Sequence, residues 1–405
     1  MRSNRPNFNM KKIFCALLFL FLIVLVISNI SHAPNKFGIT KTSNQPSSEN
    51  STQQEEQKDT SISMAVVGDI MCHGPNYKDA YNASTKTYDF STFFPQIKSY
   101  ISNADIAVGN LETTFAGGNK AYSGYPTFNS PPQLAKDIQD LGIDVLTTSN
   151  NHSMDSGYNG LINTIDTLDN LGISHTGTFK SEEDKNKILI KDVNGVKIAF
   201  LSYTYGTNGI SIPKGKEYCI NLINKDLIKK QLESAKAQNP DVICVSMHWG
   251  IEYQTTPNSE QKDLADFLFK NGTDIIIGNH PHVLQNFEKK EITLDDGTTK
   301  DGLVIYSLGN FLADQNKKYT RDSAIMNVNI TKDKNDKIKI NTVKYIPTYI
   351  YKDTSKSTQK FEIINISNAV DSYEAGYSPN LSKATYNTFK TELENIKKIL
   401  GDEIK

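Results

Sequence analysis

Six apolar runs in this 405-residue chain end alike: a strand-forming stretch passes directly into glycine and into side chains able to hold a cation. Val66-Val67 leads to Gly68-Asp69-Ile70-Met71, and Ile106-Ala107-Val108 to Gly109-Asn110-Leu111-Glu112. Val145-Leu146 leads through Thr147-Thr148-Ser149 to Asn150-Asn151-His152, with Asp155 and Gly157 close behind. The run 243–247 leads to His248-Trp249-Gly250-Ile251-Glu252, and 275–277 to Gly278-Asn279-His280-Pro281-His282. Ile305-Tyr306 leads to Ser307-Leu308-Gly309-Asn310-Phe311. Such a chain is constrained to an α/β architecture whose loops meet at the carboxyl edge of its strands, where open sheets bind ligands.

The intervening sequence agrees. Apolar runs at 105–109, 144–148, 196–203, 241–247, 274–278 and 303–307 alternate with amphipathic stretches at 132–141, 160–171, 225–237 and 259–270. In the last of these, Leu264, Phe267 and Leu268 share a face. Alternation of this kind predicts an α/β fold with central strands covered on both faces. Stretches 324–330 and 337–346 read as antiparallel strands, and 382–400 as a charged amphipathic helix. Residues 61–350 are expected to form the domain and 351–405 a C-terminal extension ending in that helix.

The N-terminus points to export. Arg2, Arg5, Lys11 and Lys12 precede an apolar run from 13 to 27, with Ile30 three residues beyond. This divides the start into a basic n-region, 1–12, and an apolar segment, 13–30. The positive flank would stay cytoplasmic and the bulk of the chain outside. Ser31 and Ala33 make a small-x-small pattern, but Pro34 follows at once. An uncleaved signal anchor is therefore the expectation, and secretion after cleavage the alternative. Residues 31–60 are polar and read as a disordered tether between membrane and domain.

Charge narrows the partners. With 44 basic and 45 acidic residues, the chain has no general pull toward nucleic acid. Attraction for a polyanion must come from a local site. The three cysteines outside the apolar segment, Cys72, Cys219 and Cys244, lack CxxC spacing, which argues against a cysteine zinc site or a disulfide framework. A single Cys219–Cys244 bridge stays open.

Taken singly, the strand-end pieces have plainer uses: Gly68-Asp69 as a turn, Asn150-Asn151 as a helix cap, His248 as a packed histidine. Together, Asp69, Glu112, Asn151, His248, His280 and His282 form an oxygen- and nitrogen-rich set suited to one or two ions of manganese, iron or zinc. Such cations lower the pKa of bound water and polarise a substrate oxygen. His152 is the candidate acid for the leaving group, with Asp155 orienting its ring, and Glu252 is a second acid–base candidate.

The ordered motifs VVGDIM, GNLETTF, SNNHSMDSG, HWGIEY, GNHPHV and YSLGNF resemble the CapA family of poly-γ-glutamate capsule biosynthesis proteins, whose fold is similar to the calcineurin-like metallophosphoesterases. The resemblance spans roughly residues 62–350. It implies a four-layer α/β/β/α sandwich and a role at the cell surface in making or handling poly-γ-glutamate, beside membrane-bound synthase subunits. By that resemblance Asp69 is the first-strand aspartate, Glu112 the bridging carboxylate, Asn151 and His152 the amide ligand and the acid. His248 is the lone histidine, and His280 and His282 the closing pair. The chain departs where the pattern has Asp-x-His: Met71 stands in the histidine's place, and His73 could substitute only if the loop turned back. Three functions follow: a metal-dependent hydrolase or transferase, a non-catalytic polymer-binding subunit, or an enzyme acting on another envelope polymer.

Overall fold

The strand Thr60–Ile70 is buried on both faces from Met64 onward, so its apolar residues run on without the polar alternation of a surface strand. It pairs in parallel with Ile106–Leu111 and antiparallel with Asp322–Lys332. In this computed structural model residues 58–117, 120–294 and 297–404 are described. The basic segment 1–12, the expected anchor 13–30 and most of the expected tether 31–60 lie outside them. Among the described residues no helix is long and apolar enough to cross a membrane.

The larger sheet has eight strands. Its main path runs Phe361–Asn365, Ile338–Lys352, Asp322–Lys332, Thr60–Ile70, Ile106–Leu111, Val145–Thr147, Ser174–Thr176, and Asn310–Leu312 pairs with the end of the Thr60–Ile70 strand. The six-stranded sheet runs Phe287–Thr293, Thr299–Ile305, Ile275–Asn279, Val242–His248, Val196–Thr204, Leu189–Val193. Within each, the central strands are parallel. The fold is mixed α/β.

Three apolar clusters set the layers. Met64, Val66 and Val108 of the larger sheet meet Ile198, Cys244 and Ile277 of the smaller one in a core between the sheets. On the outer face of the larger sheet, Ala65 and Ala107 pack with Leu134, Ile138 and Leu141 of the helix Gln133–Leu141. On the outer face of the smaller, Val245 and Ile276 pack with Leu232 of Lys225–Lys236 and Leu264 and Leu268 of Ser259–Lys270. The order is helix, sheet, sheet, helix. Each large side chain buried here contributes about 1.5–3 kcal/mol.

Sequence reading passed over Phe287–Thr293, whose charged Glu288, Lys289, Lys290 and Glu291 hide the strand. It is an edge strand, where such charges discourage pairing with other chains. The stretch beyond 350 continues the larger sheet: Phe361–Asn365 pairs with Ile338–Lys352, and the helix Lys383–Leu400, capped by Ser382, buries Phe389, Leu393, Ile396 and Leu400. Cys72, Cys219 and Cys244 are all free and buried, so the Cys219–Cys244 bridge is not formed.

Gly68 shows how the sheet delivers the site. A Cβ there would lie 2.0 Å from the Gly309 carbonyl oxygen, and Asp69 donates its backbone N–H to that same oxygen. The first and last motifs touch backbone to backbone, which only glycine permits.

Candidate metal centre

Every metal-ligand candidate stands at or just past the carboxyl end of a strand. Asp69 is one residue from the end of Thr60–Ile70, Glu112 one past Ile106–Leu111, and His248 closes Val242–His248. Asn151 follows Val145–Thr147 by four residues, and His280 and His282 follow Ile275–Asn279. The fold brings all six together, buried.

Glu112 is the focus. Its Oε1 lies 3.5 Å from His248 Nε2, 3.9 Å from His282 Nε2 and 4.0 Å from His152 Nε2. Three groups of side chains have ligand atoms within 4.8 Å of one another: Glu112, His248 and His280; Asp69, Glu112 and His282; Glu252, His280 and His282. Glu112 is common to two of them, the arrangement of a carboxylate shared between neighbouring cation positions. Asn151 Oδ1 accepts from His248 Nε2 at 2.8 Å, so the amide oxygen faces the same space.

The donor set fits a divalent cation, and one observation makes the case. Both carboxylate oxygens of Glu112 are fully buried without a hydrogen-bond partner, and so is His280 Nδ1. A buried, unpaired carboxylate costs several kcal/mol unless a positive charge meets it. Burial, then the Asp69 charge, pushes the Glu112 carboxyl well above its ordinary range. Burial also opposes the Asp69 charge, but the hydrogen bond and charge of His282, with His248 and Asn110, hold that carboxyl low. Burial pushes His248 down to about 3 and, with its imidazole neighbours, His280 to about 2. Both rings are therefore neutral. His282 goes the other way: burial disfavours its charge, yet Glu112 and Asp69 raise it to about 9. The proton on His282 stands where carboxylates call for positive charge.

The backbone is strained to achieve this. His280 and His282 both adopt positive φ, at 98° and 58°, a conformation costing non-glycine residues of order 1–3 kcal/mol. The turn is held by His280 N–H donating to Asp69 Oδ2 and by the Pro281 carbonyl accepting from Tyr253 N–H.

His152 lies at the edge of the cluster. Its Nδ1 is 2.7 Å from Asp155 Oδ2, and its ring stands edge-on against Phe128 at 4.7 Å. Phe128 also donates its N–H to the same Asp155 oxygen, which fixes the carboxylate. Glu252 is exposed but turned toward His280 and His282.

Met71 is buried as part of the apolar cluster on the outer face of the larger sheet. His73 does not take its place: its Nδ1 accepts the Asp314 N–H, and its ring packs against Phe128. Sequence reading missed Asn110, whose Nδ2 donates to Asp69 Oδ1 at 2.8 Å, and Tyr205, whose ring lies 4.6 Å from that of His280. Tyr205 follows the strand Val196–Thr204, so the strand-end rule itself would have found it.

The comparisons agree with the motif order. The family model described as "Bacterial capsule synthesis protein PGA_cap" matches residues 63–315. The chain is similar to the capsule biosynthesis protein CapA of Bacillus anthracis, 32% identical over 272 residues, which are 65% of this chain and 63% of that one. It therefore spans less than two thirds of that relative. It is also similar to the PGA biosynthesis protein CapA of Bacillus subtilis (strain 168), 29% identical over 304 residues, 74% of this chain and 76% of the relative. Among solved structures, the NAD nucleotidase of Haemophilus influenzae overlays with a TM-score of 0.46 at 13% identity, covering 86% of this chain and 58% of that one. The calcineurin-like phosphoesterase YfkN of Bacillus subtilis gives 0.39 at 14% identity, covering 82% and 99%. These overlays are loose.

Proposed function

Since the chain belongs to the bacterial capsule synthesis protein PGA_cap family, we propose that it processes an anionic capsule polymer of the poly-γ-glutamate kind as a metal-dependent hydrolase or transferase. The supporting observation is the pair of unpartnered, buried Glu112 oxygens among three imidazoles. The anchor read in residues 13–30 would hold this activity at the outer membrane face, next to membrane-bound synthase subunits.

Asp69, Glu112, Asn151, His248, His280 and His282 would hold one or two divalent cations. When bound, such a cation supplies Lewis acidity for a substrate oxygen and for water. The chain's own residues do the rest. Asp155 accepts the Nδ1 proton of His152, which fixes the tautomer and leaves Nε2 directed at the cluster. A proton carried at Nε2 can pass to the leaving group. Phe128 and Asp155 hold that ring from two sides. Glu252, on the exposed side, can relay protons to solvent.

Met71 favours a second reading. A thioether turned into the core offers no ligand where the resembled pattern has histidine, so one cation position is short of a donor. A chain with a weakened centre would serve as a polymer-binding subunit of a synthase. The two readings separate in one assay: full-length protein with manganese and poly-γ-glutamate, followed by polymer length. Shortening or end-transfer that disappears in His152→Ala supports the enzyme. Unchanged polymer that nevertheless binds supports the subunit.

A further inference from the structure

Lys352, whose Nζ grips Asp314 on the same turn at 2.8 Å, is neutralised by that carboxylate. Lys317 meets an aromatic face: its Nζ lies 3.7 Å from the centroid of the Tyr253 ring. Among the described residues it has no ion-pair partner. The Tyr253 ring in turn stands 6.2 Å from that of His282, so the ammonium is one ring away from the metal ligands.

Both halves of the pair are held in place. Tyr253 has φ 68°, a strained conformation for a bulky residue, and its N–H donates to the Pro281 carbonyl between the two ligand histidines at 2.8 Å. Lys317 sits on the turn that follows the Asn310–Leu312 strand. Asn310 Nδ2 donates to the Thr320 carbonyl and to Gln315 Oε1, both at 2.9 Å. Thr320 Oγ1 donates to the Lys317 carbonyl at 2.7 Å. Asp314, nearly buried, is gripped by Lys352 and Arg321. These contacts hold the backbone of Lys317, and its exposed side chain meets the Tyr253 ring. The neighbouring Glu252 carboxylate reaches His280, His282 and the Tyr253 hydroxyl, and among the described residues it forms no ion pair with Lys317.

We infer that Lys317, seated on Tyr253, is an anion subsite at the mouth of the metal centre, taking a carboxylate side group of an acidic polymer and setting which linkage reaches the ligands. This rests on the functional reading above and adds its recognition element. An ammonium fixed on an aromatic face retains its charge and three donors while losing little further side-chain freedom on binding. A polymer with one free carboxylate per residue could seat one group there while the adjoining linkage lies over His280 and His282.

The test is binding by fluorescence anisotropy, using full-length protein and a labelled γ-linked oligoglutamate. Lys317→Ala should weaken binding roughly tenfold, and Lys317→Arg should restore most of it. Lys229→Ala, on the exposed side of a remote helix, should change nothing. A γ-linked isoglutamine oligomer, in which each α-carboxylate is replaced by a carboxamide, should bind weakly and equally to wild type and Lys317→Ala. Melting curves of each variant report whether the turn still folds. Tight oligoglutamate binding that survives in a folded Lys317→Ala overturns the subsite and leaves the functional reading standing. If a polyglycerol phosphate binds in place of oligoglutamate, and Lys317→Ala loses it, the anion subsite stands and the polymer assignment falls. Binding of neither polymer by wild type overturns both.

Discussion

Glu112 Oε1 lies 3.5 Å from His248 Nε2, and neither oxygen of that buried carboxylate has a hydrogen-bond donor. Glu112→Gln removes the charge while keeping the shape. In a chelated sample the wild-type carboxyl has a folded-state pKa raised by burial and by Asp69. It then favours the fold most below its ordinary pKa and loses that contribution as pH climbs toward the raised value. Thermal melts of metal-free protein should therefore show this component of stability falling as pH rises, and Glu112→Gln should lack it. Added manganese should stabilise wild type by about 2.7 kcal/mol at a hundredfold excess over Kd, and leave Glu112→Gln unmoved.

The His152–Asp155 contact of 2.7 Å predicts a division of labour. His152→Ala should reduce turnover about 10²–10⁴-fold with metal content unchanged. Asp155→Asn should cost about tenfold or more, because the ring loses the partner that fixes its tautomer. Turnover measured beside elemental analysis checks both. Loss of metal in His152→Ala would instead make it a ligand.

Gly68→Ala places a methyl 2.0 Å from the Gly309 carbonyl oxygen. The strands must part, at a cost of about 1–3 kcal/mol. Asp69 moves with them, so this variant should lose both Tm and metal affinity. Gly157→Ala also replaces a left-handed glycine, but in open space, and should lose only Tm.

Away from the site, Asp322 is buried, and its Oδ2 lacks a hydrogen-bond partner. Burial, with the Glu392 charge on the terminal helix, raises its carboxyl to about 9. A raised carboxyl pKa favours the fold below about 4 and loses that contribution as pH rises toward 9. Asp322→Asn should therefore raise Tm at pH 8, by about 2–4 °C for each kcal/mol recovered. At pH 4 the variant and wild type should melt together.

The gathering of the candidate ligands was legible because they are local to strand ends. Each motif joins a buried apolar run to polar residues within a few positions, and two facing sheets, parallel at their centres, then carry those ends to one side. Asn110 and Phe128 show the limit. Asn110 sits inside a recognised motif, but that its amide serves Asp69 depends on the parallel pairing of two strands, with Asp69 opposite Asn110. Phe128 comes from a loop with no pattern of its own and meets His152 only through packing. The Lys317–Tyr253 pair was hidden for the same reason, since residues far apart in sequence meet only after folding. Charged edge strands such as Phe287–Thr293 were missed because solvent-facing alternation resembles a loop when read without its partner.

The most direct test of the metal centre is elemental analysis of purified full-length protein beside the double variant Asp69→Ala, His280→Ala. A metal centre built on these residues should carry about one or two equivalents of manganese, iron or zinc in wild type and none in the variant. A wild-type protein that stays metal-free after incubation with each of those ions would contradict it.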